Sequence, residues 1–200
     1  MTIPSHMETR VATLELEPKS TALILIDLQQ GIVGRETAPH SAADVVKRGA
    51  QLAARCRAKG ATVVYVNVDI AKYLRLPTDK SMMDPNAPPP PPSASELVPE
   101  AGFQAGDLKI TKRQWGAFFG TDLEQQLRQR GIKTILLGGI STNYGVESTA
   151  RAAAGLGFAL IVVEDATASS SAELHRFPYE HIFPRLGRVR STAEVLAALA

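Results

Sequence analysis

Residues 21–27 read TALILID, an almost unbroken apolar run that ends on a carboxylate. A short run without polar alternation suits a strand covered on both faces, as in a parallel sheet packed between helices. The period then changes. Within residues 42–59, Val45, Val46, Gly49, Leu52, Ala53 and Cys56 fall on one helical stripe, and Gly60 is placed to end that helix. Residues 62–69 (TVVYVNVD) are rich in β-branched side chains and read as a second strand. Further on, the spacing predicts a short strand at 108–112 and a helix at 122–130, capped by Thr121 and stopped by Gly131. A strand at 133–138 (KTILLG), a helix at 143–155, a strand at 159–164 (ALIVVE) and a helix at 171–182 follow. A last short strand near 188–189 leads into 192–199. Strand and helix alternate throughout, so the expected fold is a mostly parallel, doubly wound sheet.

Composition fits one globular domain spanning residues 1–200. Lys and Arg total 22 against 20 Asp and Glu, for a net charge of +2, and 44% of residues are hydrophobic. That excludes global disorder, and a single cysteine excludes an intrachain disulfide scaffold or a cysteine-rich zinc module. Basic residues are interleaved with acids except for Arg185, Arg188 and Arg190, and aromatics are only 6%. A nucleic-acid partner is therefore not expected. No stretch approaches the roughly 20 apolar residues of a membrane span. The first residues lack an apolar core flanked by basic ones, so neither a membrane nor a signal peptide is expected and the compartment reads as cytoplasmic.

Residues 70–106 lose periodicity and form a Pro-rich insertion, with five prolines in a row at 88–92. Such a loop is uncommon in a compact domain. Composition leaves open a lid, an interaction arm or a solvated insertion.

In open parallel sheets, ligands bind beyond the carboxyl ends of the strands. The residues that follow each apolar run are thus the candidates: Asp27 and Gln30; Asn67 and Asp69; Lys112, Arg113 and Trp115; Ser141, Thr142, Asn143, Tyr144 and Gly145; Glu164 and Asp165. A carboxylate at the end of LILID needs a partner, because burying an unpaired charge is costly. Lys112 is the evident counter-charge. Position alone leaves open whether the pair is a structural salt bridge or part of an active site. In GGISTNYGVESTAR (residues 138–151), a strand runs into a helix starting near Tyr144. The N–H groups of Tyr144, Gly145 and Val146 are expected there, free to meet an anion. An ordinary capped turn has the same pattern.

Three segments together resemble the isochorismatase-like, or cysteine-hydrolase, superfamily: ALILIDLQQGIV, TKRQWGAFFGTDLEQQLRQRGIKTILLGGISTNYGVESTARAA and ALIVVEDATAS. The resemblance covers most of the chain outside residues 70–106. It implies a Rossmann-like three-layer α/β/α sandwich on a six-stranded parallel sheet, and association into a homo-oligomer. It implies a catalytic Asp at Asp27 and a catalytic Lys at Lys112. The family's nucleophilic Cys maps onto Gly145, so that nucleophile is missing. It also implies a cis peptide at Ile140–Ser141. Gln30, Trp115, Ile140, Ser141, Asn143 and Tyr144 are the candidate substrate-binding residues. Nicotinamidases of the superfamily hold a metal through an Asp and two His after the second strand. Here that stretch is DIAKY (residues 69–73) without histidine, so no metal and no other cofactor is expected. His6, His40, His175 and His181 read as surface or structural residues.

Without the cysteine, thioester chemistry at that position is closed. Cys56 lies on a core stripe and reads as a small buried hydrophobe. Ser141, Thr142 and Ser148 have no evident histidine base. The superfamily's isochorismatases proper also lack the cysteine and cleave a vinyl ether, where a carboxylic acid protonates carbon and water adds to the resulting cation. The expected function is therefore Asp27-driven acid–base hydrolysis of a small molecule, of which a carboxylate is one candidate class. The turn STNYGVESTAR itself looks more like the amidase side of the superfamily. A catalytically silent binding protein and an amidase with another nucleophile are the alternatives.

Overall fold

Which helix covers which face of each strand sets the architecture. A computed structural model describes residues 14–82 and 88–199. Six strands form one sheet: β1 (Thr21–Ile26), β2 (Thr62–Val68), β3 (Leu108–Lys112), β4 (Thr134–Ile140), β5 (Ala159–Ala168) and β6 (Arg188–Arg190). Their order is β3-β2-β1-β4-β5-β6, and every pairing is parallel. Side chains alternate across the pleat, so each strand feeds two cores. Leu23 and Leu25 of β1 join Val63, Tyr65, Leu136, Ile161 and Val163 in one core. It is closed by Val45, Leu52 and Cys56 of α2 (Ala42–Ala58) and by Val195 of α7 (Thr192–Ala198). Ala22, Ile24 and Ile26 face the opposite core. Leu123 and Leu127 of α3 (Leu123–Gln129), Ala150 and Ala153 of α4 (Glu147–Gly155), and Phe183 of α6 (Phe183–Leu186) cover that side. The expected three-layer α/β/α sandwich is therefore what forms. All six residues of central β1 are buried, whereas edge strand β3 alternates between covered and open positions.

Several boundaries differ from the sequence reading, each for a local reason. β4 continues two residues beyond the expected 138, because Gly139 takes φ 119°. A Cβ at Gly139 would run into the carbonyl oxygen of Ile26, so only glycine lets the strands close here. β5 extends to Ala168 through a register shift opposite Leu137 and Gly139. α4 begins at Glu147 rather than 143, because residues Thr142–Val146 form a π-type turn. The N-cap of α3 is Asp122 rather than the expected Thr121, whose hydroxyl one residue earlier accepts the Leu123 N–H at 3.3 Å. α1 (Gln30–Val33) and α5 (Ala172–His181) complete the helices.

The second half of the insertion is not a free loop. Short 3₁₀ turns at Pro92–Ser95 and Pro99–Ala101 bury Ala94, Val98 and Ala101. The Gln29 amide donates to the Ala94 carbonyl at 2.8 Å, and the Tyr65 hydroxyl to that of Ala101 at 2.6 Å. Arg57 donates to the Gly102 carbonyl at 2.7 Å. Among the described residues no helix is long and apolar enough to cross a membrane.

Candidate active site

β1 and β4 are neighbours, and the chain leaves them toward opposite edges of the sheet. Their carboxyl ends therefore open a crevice at the switch in strand order. Asp27 stands there in a left-handed conformation (φ 54°), uncommon for a non-glycine residue, with its N–H donated to the Val66 carbonyl at 2.8 Å. Lys112 ends β3, two strands away from β1, and places Nζ 2.8 Å from Asp27 Oδ2. The two side chains are only 2% (Lys112) and 8% (Asp27) exposed. Among the described residues, Asp27 Oδ1 is the one buried side-chain oxygen or nitrogen without a hydrogen-bond partner. Burial pushes the carboxyl up to about 6, while the Lys112 charge and hydrogen bond pull it down. Desolvation wins because a single donor serves one oxygen and leaves the other dry.

Gly145 lies directly opposite. A Cβ on it would stand 2.9 Å from Ile26 Cγ2, 3.3 Å from Asp27 Oδ2 and 3.5 Å from the Trp115 carbonyl oxygen. The glycine thus lets Ile26 and the carboxylate close in where the family's thiol would be, and a Cβ could enter only if Ile26 shifted. The peptide Ile140–Ser141 is cis, as the resemblance implied. One expectation for this turn fails. The N–H groups of Tyr144 and Val146 both donate to the Ser141 carbonyl, each at 3.2 Å, so they are not free for an anion. The π-type turn folds them inward, where a regular helix start would have left them open. Thr149 braces the site: its hydroxyl donates to the Gly145 carbonyl at 2.7 Å and accepts from the Ala117 N–H at 3.1 Å. The Trp115 ring packs on Tyr144 with centroids 4.9 Å apart, and its Nε1 donates to Met82 Sδ at 3.1 Å.

These residues line a cleft of about 390 Å³. Asp27, Lys112, Trp115, Ile140, Ser141, Tyr144 and Gly145 all face it. Two expected binding residues do not. Gln30 is exposed at the start of α1 and its N–H donates to the Glu96 carbonyl at 2.9 Å. Its neighbour Gln29 is the buried one, and it ties the Val68 and Ala94 backbones together. Asn143 turns away to accept the Ser169 hydroxyl at 2.5 Å. Sequence reasoning missed Arg35, Tyr73, Lys80 and Met82, which complete the cleft from segments without periodicity. Of the remaining strand-end candidates, Asn67 binds the Ser95 carbonyl and the Thr111 hydroxyl. Asp165 accepts from Thr192 and pairs with Arg48, and Asp69 pairs with Lys72. All of these are structural ties.

A second polar cluster was not legible in the sequence. His40 Nε2 and His175 Nε2 lie 3.1 and 2.9 Å from the same oxygen, Glu164 Oε1. The two imidazoles hold Glu164 down at about 2, the His175 hydrogen bond contributing most. His175 is buried, and its Nδ1 is 2.9 Å from the Thr142 hydroxyl. His181 is exposed, and His6 lies outside the described residues. Cys56 is fully buried, and desolvation pushes its thiol up to about 12, far from a nucleophile's range.

Known proteins match this chain over most of its length. The family model for the isochorismatase domain matches residues 21–194. The chain is 49% identical to the isochorismatase family protein YecD of Escherichia coli O157:H7 over 198 residues, covering 93% of this chain and all of the relative. It is 46% identical to the isochorismatase family protein YwoC of Bacillus subtilis, covering 92% of this chain and 96% of that one. The solved structure of an isochorismatase family protein from Burkholderia thailandensis superposes with a TM-score of 0.85 at 45% identity, over 92% of this chain and 97% of that one.

Proposed function

Since the chain belongs to the isochorismatase family, we propose that it is a small-molecule hydrolase that uses Asp27 as a proton donor and forms no covalent cysteine intermediate. The observation that carries this reading is the Asp27 carboxyl: Oδ1 is buried without a partner, Oδ2 is held by Lys112 beside Gly145, and the group is raised to about 6. A carboxyl near 6 still carries its proton in roughly one molecule in ten at pH 7. Such a group is matched to general-acid work at neutral pH.

The reaction proposed is hydrolysis of an enol ether bearing a carboxylate. Asp27 gives its carboxyl proton to the terminal CH₂ carbon, and the double-bond electrons form that C–H bond. The positive charge left on the ether-bearing carbon is shared with the ether oxygen. Water adds at that carbon and returns one proton to Asp27. The hemiketal then collapses to an alcohol and a 2-oxo acid, with one water consumed. Lys112 holds Oδ2 at 2.8 Å and so fixes the orientation of the carboxyl group. Arg35 and Lys80 on the cleft wall are the cations available to the substrate carboxylate, in place of the turn's occupied N–H groups.

The test is a parallel screen of the purified chain against carboxylated enol ethers, isochorismate included, and against simple amides. The expected result is pyruvate without ammonia, lost in Asp27→Asn while the circular dichroism is unchanged. Ammonia release would mark an amidase, and ligand binding with no turnover anywhere would mark a silent binding protein.

A further inference from the structure

We propose that His40, Glu164 and His175 bind one divalent transition-metal ion of the zinc class, at a site separate from the Asp27 cleft. Three donor atoms from three separate segments converge: the loop ahead of α2 supplies His40, β5 supplies Glu164 and α5 supplies His175. All three atoms lie within 4.8 Å of one another. Donors around a tetrahedral ion with bonds of about 2.0 Å sit roughly 3.3 Å apart. The two imidazole-to-carboxylate separations, 3.1 and 2.9 Å, are already close to that edge length. An ion needs only a small spreading of the three side chains.

The second shell points the same way. A ligating imidazole presents a bare Nε2 and carries its proton on Nδ1, where an outer acceptor fixes the tautomer. His175 Nδ1 has such a partner in the Thr142 hydroxyl at 2.9 Å. Metal binding would displace the Nε2 proton now shared with Glu164 and leave the imidazole protonated on Nδ1, toward Thr142. The environment is graded as an open metal site requires. The His175 side chain is 5% exposed and anchored, while that of Glu164 is 38% exposed, leaving solvent access to a fourth position. Two imidazoles and one carboxylate are a donor set for zinc, cobalt(II), nickel or iron(II), and a poor one for magnesium or calcium. The site also has a structural reach. His40 closes the stretch whose Arg35, Glu36 and Thr37 line the cleft, and Thr142 belongs to the turn that carries Gly145. An ion here pins both cleft walls to β5 and α5.

The test uses the full chain, stripped with a chelator and dialysed. Zinc(II) is titrated by calorimetry, and cobalt(II) is followed by visible absorption. The expected result is one ion per chain, cobalt bands of a four- or five-coordinate N/O site, and a thermal midpoint that rises with excess zinc. His40→Ala and Glu164→Gln are expected to weaken zinc binding at least ~100-fold, and Thr142→Val by ~10–100-fold as a second-shell loss. His181→Ala is expected to bind as the wild type does. Failure of the wild type to bind, or equal binding by His40→Ala and Glu164→Gln, overturns the site; so does loss of binding in His181→Ala. No readout involves turnover, so this result stands apart from the reaction assigned to the cleft.

Discussion

Asp27 and Glu164 both follow apolar runs of the central sheet, and both meet nitrogen donors, yet their acidities move in opposite directions. Asp27 has one donor, Lys112, on one oxygen, and is driven up to about 6 by burial. Glu164 has two imidazoles on one oxygen, keeps access to water, and is held at about 2. Desolvation outweighs a full lysine charge when half the carboxylate is left dry. Two donors and partial hydration reverse the outcome. The difference sorts the two groups chemically: Asp27 can hold a transferable proton near neutral pH and Glu164 cannot. Glu164 is a permanent anion, suited to holding cations or imidazoles in place.

That contrast can be broken at either end. The largest effect is expected from Asp27→Asn, which keeps the shape and removes the acid. The rate on a substrate found by the screen should fall ~10²–10⁴-fold, the usual worth of a general acid. A retained rate contradicts the mechanism. Next comes pH. Only protonated Asp27 is active as an acid, so kcat/KM should be level below about 6 and fall about tenfold per pH unit above it. Lys112 lowers the Asp27 pKa, so Lys112→Met should move that falling limb to higher pH. An unmoved limb would mean that another group carries the proton. The same variant should lose stability relative to the wild type as pH rises above about 6, read by urea melts, because Asp27 without its cation holds its proton when folded but releases it when unfolded. Glu164→Gln should cost about 1–2 kcal/mol of stability in metal-free buffer, through weaker bonds to His40 and His175. It should leave the pH limb in place, because Glu164 is not the titrating acid.

The smallest expected effect is none at all. Iodoacetamide should not slow the native protein, since its sole cysteine is buried with a thiol near 12. Gly145→Cys should acquire a modifiable thiol in the cleft, with Ile26 shifting to admit the new Cβ. Inactivation of the unmodified chain by alkylation would point to a cysteine mechanism after all.

Much of this was legible beforehand, and the failures share a cause. Periodicity found β1, β2, β4 and β5, because buried parallel strands leave continuous apolar runs. The strand-end rule found Asp27 and Lys112, which are 85 residues apart in sequence and 2.8 Å apart in space. It erred just past β1. The left-handed turn at Asp27 breaks the strand's alternation, so Gln29 goes inside and Gln30 outside. It erred again at residues 142–146, where a π-type turn spends two N–H groups internally and sends Asn143 to Ser169. His40 and Glu164 are separated by 124 residues and meet across the end of the sheet, which no local spacing encodes. The cleft wall at Arg35, Tyr73 and Lys80 comes from segments with no period to read.

The central claim is that Asp27 carries a proton near neutral pH, and it can be measured without any substrate. Carbon-13 NMR of aspartate-labelled protein, with Asp27→Asn used to assign the resonance, follows this one carboxyl through its titration. The account expects a midpoint near 6, well above the ordinary aspartate value. A midpoint at or below about 4, the ordinary range, would leave Asp27 ionised at work and contradict its role as the acid.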